Sequence, residues 1–284
     1  MLEGSASDKP PGRHRALGCE RTTTVTTAAT SFKLITDNLP RALKQVADKP
    51  DVARQTAYYL ANITKVKSVD DFLGNDRLYR YAMKAFGLED MTYAKAFMRK
   101  VLEEGVDDPK SFANSLTDKR YRDFATAFNF KAYGPTTTVF DRTQKGTVDQ
   151  YTRQLLEEKA GTEDEGVRLA LYFQRKAPGV ASVFGLLADP ALLKVTQTLA
   201  NLPAASGAMD IDKLAKAVSK RVNIEDLKDP AKLQKMLTRF TAMWEAQKEP
   251  AAVTNNTSIL FGGSGGIISG DVLASIQNLR MGGN

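Results

Sequence analysis

The sequence predicts an all-α, multi-helical fold of two internally duplicated helical halves, with a flexible N-terminal leader and a Gly-rich C-terminal tail. Apolar residues recur at helical spacing along most of the 284 residues, and no segment shows the strict alternation of a convincing strand. Residues 53–80 align without a gap on residues 167–194, a shift of 114 positions, and seven of the 28 pairs are identical. Recurrence of this kind is typical of a duplicated structural unit.

The repeat and the local composition divide the chain into five predicted segments. They are a disordered leader (1–31), a first helical half (32–134), a linker (135–146), a second helical half (147–250) and a flexible tail (251–284). The leader is rich in Pro, Gly, Ser and charge, and it lacks the apolar core of a cleaved signal peptide. The best strand candidate, Thr136–Phe140, lies at the joint between the halves, and we interpret it as linker.

Capping residues and prolines predict where several helices begin and where one breaks. Asp and Asn side chains cap the free amides at a helix start, and Pro suits the first helical position. We therefore expect helices to begin near Asp76, Asp118, Pro190 and Pro230. Pro40 interrupts an apolar helical face, so we expect a break or a kink there.

Histidine and cysteine usage excludes most catalytic and metal chemistry from the predicted body. The only histidine, His14, and the only cysteine, Cys19, both lie in the leader. Cys-His and Ser-His-Asp constellations are therefore excluded, as are zinc, copper and iron sites built from imidazole or thiolate. The Gly262–Gly266 run lacks the sequence context of a phosphate loop, and we interpret it as a flexible linker. We expect no enzyme activity, no catalytic residue, no metal and no cofactor.

We interpret two groups of acidic residues as structural rather than as metal-binding or catalytic. Four oxygen-bearing residues fall within seven positions: Asp70, Asp71, Asn75 and Asp76. Their spacing does not fit a calcium loop, and we expect helix capping instead. Adjacent acidic pairs occur at Glu103–Glu104 and Glu157–Glu158. Neighbours at i and i+1 do not face each other on a helix, so we expect surface charge rather than acid–base catalysis.

Aromatic and basic residues each form a pattern with two interpretations. Aromatic residues are concentrated in the first half: Tyr58, Tyr59, Tyr79, Tyr81, Phe86, Tyr121, Phe124 and Phe128. Their helical spacing favours a core, with a peptide-binding groove as the alternative. Four basic residues line one side of a helix: Lys213, Lys216, Lys220 and Arg221. We favour a solvated helix surface over nucleic-acid contact, because the net charge of +7 is spread thinly along the chain.

The tail contains one amphipathic helix, expected over residues 271–280. Its apolar face is not stable alone at this length, so we expect it to dock either on its own body or on a partner. The candidate partner-binding residues are Leu260, Phe261, Val272, Leu273, Ile276 and Leu279. No run of eighteen apolar residues occurs, so we expect no membrane span.

Four stretches carry a resemblance to a known family: Tyr58-Tyr59, Ser68–Asp90, Ser111–Asn114 and Asp118–Phe124. Over residues 23–244 the chain resembles an uncharacterised family, a domain of unknown function found mainly in alphaproteobacteria. Genes of this family often lie within flagellar clusters, so the resemblance implies a flagellum-associated protein. It implies no catalytic residues.

Two hypotheses about function follow. The first is a non-enzymatic structural or assembly protein of the flagellum that acts through helix-mediated protein contacts. Its partners would be flagellar components, and its location would be the cytoplasm or the flagellum. The alternative is a nucleic-acid-associated regulatory protein that uses the basic helix face from Lys213 to Arg221.

Overall fold

The computed structural model describes residues 27–248, and it confirms the all-α class. The described residues form α-helices joined by turns and short 3₁₀ helices, and none of them lies in a strand. The chain divides into two units, Met1–Trp244 and Glu245–Asn284. The predicted tail helix and most of the predicted leader lie outside the described residues. Within residues 27–248, none of the helices combines the length and the apolar character that a membrane span requires.

The helices follow one another with few long connections. In the first half they are α1 Ala28–Asp37, α2 Leu39–Ala47, α3 Pro50–Ile63, α4 Val69–Gly74, α5 Asp76–Ala85, α6 Lys95–Glu104, α7 Phe112–Ser115, α8 Lys119–Ala127 and α9 Phe130–Tyr133. In the second half they are α10 Lys145–Glu163, α11 Glu165–Lys176, α12 Val183–Ala188, α13 Pro190–Leu199, α14 Ile211–Ser219 and α15 Pro230–Lys248. The 3₁₀ helices are Glu89–Met91, Gly134–Val139, Ala177–Gly179, Ala204–Ala208 and Glu225–Leu227.

The expected helix starts are confirmed. Helices α5, α13 and α15 begin at Asp76, Pro190 and Pro230, and α8 begins one residue after its N-cap, Asp118. Asp118 caps α8 through its side chain, because its carboxylate accepts a hydrogen bond from the backbone N–H of Arg120. The expected break at Pro40 separates α1 from α2.

The duplication is visible in the boundaries of the helices. At a shift of 114, α4 coincides with α12 and α5 coincides with α13, residue for residue at both ends. The core positions also correspond, because Phe72 and Leu186 are both fully buried. In the later helices the correspondence continues at a shift of 116, where Phe124 and Phe240 are both fully buried. The two copies therefore differ by a two-residue insertion after α13.

The buried apolar residues form two clusters, and helix α1 joins the second one. The first cluster runs from Val52 to Phe130 and includes Tyr151. The second contains Ala28 and Phe32 of α1 together with residues from Ala160 to Phe240. The sequence places residues 32–37 in the first half, yet α1 packs on α11. Helix α10 contacts both α5 and α11, and so it also connects the two clusters.

The structure differs from the sequence expectation in two segments. The folded body begins before residue 32, because α1 begins at Ala28 and Thr27 caps it by accepting from the backbone of Thr30. The segment 135–146 is packed rather than loose. Thr138 is fully buried, and its hydroxyl donates to the Val66 carbonyl at 2.9 Å. The threonine hydroxyls bond to local and distant carbonyls, which supports a 3₁₀ helix here instead of a strand.

Candidate functional site

A cleft of about 860 Å³ lies where the two halves meet. Residues of α8, from the first half, line it together with residues of α10, α11, α12 and α13. Its size is within the range of pockets that hold ligands or side chains of a partner. The cleft is therefore the candidate functional site, and its side chains are described in turn.

A buried carboxylate, Glu157, lies at this site and binds two arginines. Only 3% of its side chain is exposed. Its Oε1 accepts from Nε of Arg153 at 3.1 Å, and its two oxygens accept from Nε and Nη2 of Arg175 at 2.8 and 2.6 Å. The expectation that Glu157–Glu158 is surface charge is therefore wrong for Glu157. Arg175 comes from α11, and a pattern within α10 alone could not reveal that partner.

The network around Glu157 carries one surplus positive charge, since two guanidinium groups share one carboxylate. Burial acts to lower the pKa of both arginines. For Arg175 the hydrogen bonds and charge of Glu157 outweigh burial and its pKa is raised, whereas burial prevails for Arg153 and its pKa is lowered. Glu157 is thus matched mainly to Arg175, and Arg153 supplies the surplus charge.

Most of the other charged groups that line the cleft also have partners within the protein. Lys176 binds Asp123 at 2.7 Å and thereby connects α11 to α8. The Tyr172 hydroxyl donates to Asp189 at 2.7 Å, and burial is the main cause of its raised pKa. These bonds hold Lys176, Asp123 and Asp189 in place.

Small residues line the cleft on the side of α12. They are Gly179, Ala181, Ser182, Gly185 and Ala188, and all five are exposed. Small side chains allow the backbone of a second helix to approach closely. Among the described residues no group of three or more His, Cys, Asp or Glu side chains could hold a metal ion.

The residues singled out from the sequence fall in different places. The candidate partner-binding residues Leu260, Phe261, Val272, Leu273, Ile276 and Leu279 lie outside the described residues. On the basic face, Lys213 and Lys216 are exposed on α14, and Lys220 and Arg221 are exposed just after it. In the described part of the chain these four side chains form no ion pair.

The aromatic concentration in the first half is a core, as expected. Tyr81 stacks on Tyr59 and on Tyr151, with ring centroids 4.4 and 3.9 Å apart. Phe72 stacks on Phe128 at 4.8 Å. Tyr58 and Phe86 are only half-buried and pack against this core, and Phe86 also lines the cleft.

The predicted caps of α4 and α5 are also confirmed. Ser68 and Asp71 form a reciprocal capping box, and hydrogen bonds from the Lys67 backbone and from Ser68 hold the pKa of Asp71 below its usual range. The Asn75 side chain accepts from the backbone of Leu78. Asp70 pairs with Arg99, and so the acidic cluster is used for capping and pairing between helices.

Comparison with known proteins identifies relatives but no activity. Residues 85–233 match the family described as "Protein of unknown function (DUF1217)". A protein from Agrobacterium tumefaciens, whose crystal structure was determined as a structural-genomics target, shares 49% sequence identity with this chain at a TM-score of 0.73. The match covers 78% of this chain and 94% of the Agrobacterium chain. No curated protein gives a significant match.

Proposed function

Since this chain belongs to the DUF1217 family, we propose that it is a non-enzymatic, flagellum-associated structural or assembly protein that binds its partner in the cleft between its halves. The cleft is the single observation that carries the proposal of protein binding. The flagellar context comes from the resemblance, which implies genes within flagellar clusters. The proposed partner is a flagellar component, and the proposed location is the cytoplasm or the flagellum.

The lining of the cleft suits an amphipathic helix as the bound element. Grooves between helices accept the apolar face of a partner helix, with anchors at helical spacing. The exposed small residues along α12, Gly185 and Ala188 among them, leave room for such a helix. Most of the charged side chains are already paired, as Lys176 is with Asp123, so these side chains have little freedom left to lose on binding.

The test is genetic complementation with a variant that fills the cleft. Ala188 lines the cleft, is exposed and lies at the end of α12, so Ala188→Trp obstructs the cleft without requiring space in the core. Ala61→Trp is the matched control, because Ala61 is an exposed alanine on α3 that does not line the cleft. Cellular protein levels and melting temperatures are measured for both variants.

We expect gene deletion to abolish swimming in soft agar while growth is unchanged. Wild type and Ala61→Trp are expected to restore swimming, and Ala188→Trp is expected not to. A deletion strain that swims normally would contradict the flagellar role. A folded Ala188→Trp protein that restores swimming fully would contradict binding in the cleft.

A second candidate is nucleic-acid binding by the basic face, which rests on the exposure of Lys213, Lys216, Lys220 and Arg221 without ion pairs in the described structure. Phosphate contacts release counterions, so such binding weakens steeply with salt. Gel-shift titrations at low and moderate salt test it, with Lys216→Glu as the variant. Negligible binding at both salt concentrations would eliminate this function.

A further inference from the structure

A smaller pocket of about 300 Å³ adjoins the cleft. Five residues line both cavities: Phe86, Asp123, Gln150, Arg175 and Lys176. The smaller pocket also has Ala127 and Arg142 in its lining, so it combines apolar surface with three basic side chains and one acidic side chain. This balance gives the pocket a positive character.

Arg142 is the basic residue of this pocket that has no acidic partner among the described residues. Its guanidinium carbon lies 4.4 Å from the centre of the Tyr133 ring and 4.6 Å from that of Phe140. Its Nε and Nη2 are buried and have no hydrogen-bond partner. The ring faces attract the cation, but they offer no lone pair to the N–H groups at the edge of the guanidinium plane. These two strong donors are therefore left unsatisfied.

These two nitrogens share one edge of the guanidinium group. The same edge donates two parallel hydrogen bonds when an arginine binds a carboxylate in the bidentate manner. The rings of Tyr133 and Phe140, which lie against this guanidinium group, are both exposed. The edge is buried in this conformation, and a rotation of the Arg142 side chain would turn it towards the pocket that Arg142 lines.

The remaining charges of the pocket do not neutralise Arg142. Asp123 is bound to Lys176, and Glu157 is bound to Arg175 and Arg153 with one positive charge in excess. Gly146, in the first turn of α10, also lines the pocket and contributes the positive end of a long helix. An anion placed here would meet a net positive environment.

We infer that this pocket binds a small carboxylate anion through Arg142, with Lys176 as a second donor. Phe86 and Ala127 would contact the carbon skeleton of the ligand. The inference needs no protein partner and is independent of the proposed function. It predicts binding by the isolated full-length protein.

The experiment is isothermal titration calorimetry of the full chain with succinate and with benzoate at matched ionic strength, and with inorganic phosphate in parallel. Arg142→Gln removes the proposed fork, and its control is Arg239→Gln, which removes an exposed arginine outside the pocket. Thr126→Tyr fills the pocket from an exposed position on α8 without changing the charge. Its control is Thr238→Tyr, because Thr238 is an exposed helical threonine whose hydroxyl bonds, like that of Thr126, to the carbonyl four residues earlier.

We expect saturable binding of at least one carboxylate, weakened about tenfold or more by Arg142→Gln and also weakened by Thr126→Tyr. Both control variants are expected to bind like the wild type. Absence of saturable binding to either carboxylate would overturn the inference. Equal binding of phosphate, or equal weakening by Arg239→Gln, would also overturn it, since either result indicates non-specific attraction. Circular dichroism confirms that each variant is folded.

Discussion

Removal of the charge on Glu157 tests the account of the buried network most directly. Glu157→Gln keeps the shape of the side chain but leaves Arg153 and Arg175 facing each other without a carboxylate. Their side chains are only 11% and 16% exposed, so water screens little of the repulsion. Loss of one partner of a buried ion pair typically costs about 3–5 kcal/mol. Because a folded domain is stable by roughly 5–15 kcal/mol, this is a large fraction of the total.

The neighbouring residue supplies a matched control. Glu158 binds Lys84 at 3.1 Å, but 37% of its side chain is exposed. Glu158→Gln is therefore expected to lower the free energy of unfolding by about 1 kcal/mol or less. Arg153→Met is expected to cost less than Glu157→Gln, because Glu157 then remains bidentate with Arg175 and the surplus charge is gone.

Urea denaturation and thermal melting, both followed by circular dichroism, measure these differences. At about 2–4 °C per kcal/mol for a chain of this size, Glu157→Gln is expected to lower the melting temperature by roughly 6–20 °C. If Glu157→Gln were as mild as Glu158→Gln, the carboxylate would be solvated rather than buried. That result would refute the buried network of Glu157 with Arg153 and Arg175.

The remaining predictions compare pairs of residues that differ in one hydrogen bond. Ser68 makes a side-chain cap, whereas Ser182, at the equivalent position, does not. In urea denaturation, Ser68→Ala is therefore expected to lower the free energy of unfolding by about 1 kcal/mol, and Ser182→Ala is expected to leave it unchanged. Equal losses would contradict the assignment of the cap. The Tyr79 hydroxyl is buried without a hydrogen-bond partner, whereas that of Tyr59 donates to the Thr143 carbonyl at 2.6 Å. Tyr79→Phe should therefore preserve or raise stability at pH 7, and Tyr59→Phe should lower it by about 1 kcal/mol. Burial raises the pKa of Tyr79 to about 12. The stabilising effect of this raised pKa is full below pH 10 and is lost as the pH rises towards 12. Tyr79→Phe should therefore lose less stability than the wild type over that range. A Tyr79→Phe protein that loses as much stability as the wild type between pH 10 and 12 would contradict this.

Much of the fold was accessible from sequence because its signals are local. A cap such as Asp118 and a proline such as Pro190 act within one helical turn, and the predicted helix starts are confirmed. The shift of 114 likewise required only that the apolar positions of two segments be compared. The candidate site was less accessible, because its residues come from five helices and no segment of the chain contains the pattern.

The sequence by itself determined the helical class, the duplication and the helix starts, since capping and periodicity depend on residues a few positions apart. Only the tertiary structure decided that Glu157 is buried while Glu158 remains partly exposed, because the deciding partner, Arg175, is 18 residues away on another helix. It also decided that α1 packs with the second core cluster and that Arg142 lies against two rings with its Nε and Nη2 unsatisfied. Burial of a charge depends on what surrounds it in space, and neighbours in the chain do not specify that surrounding.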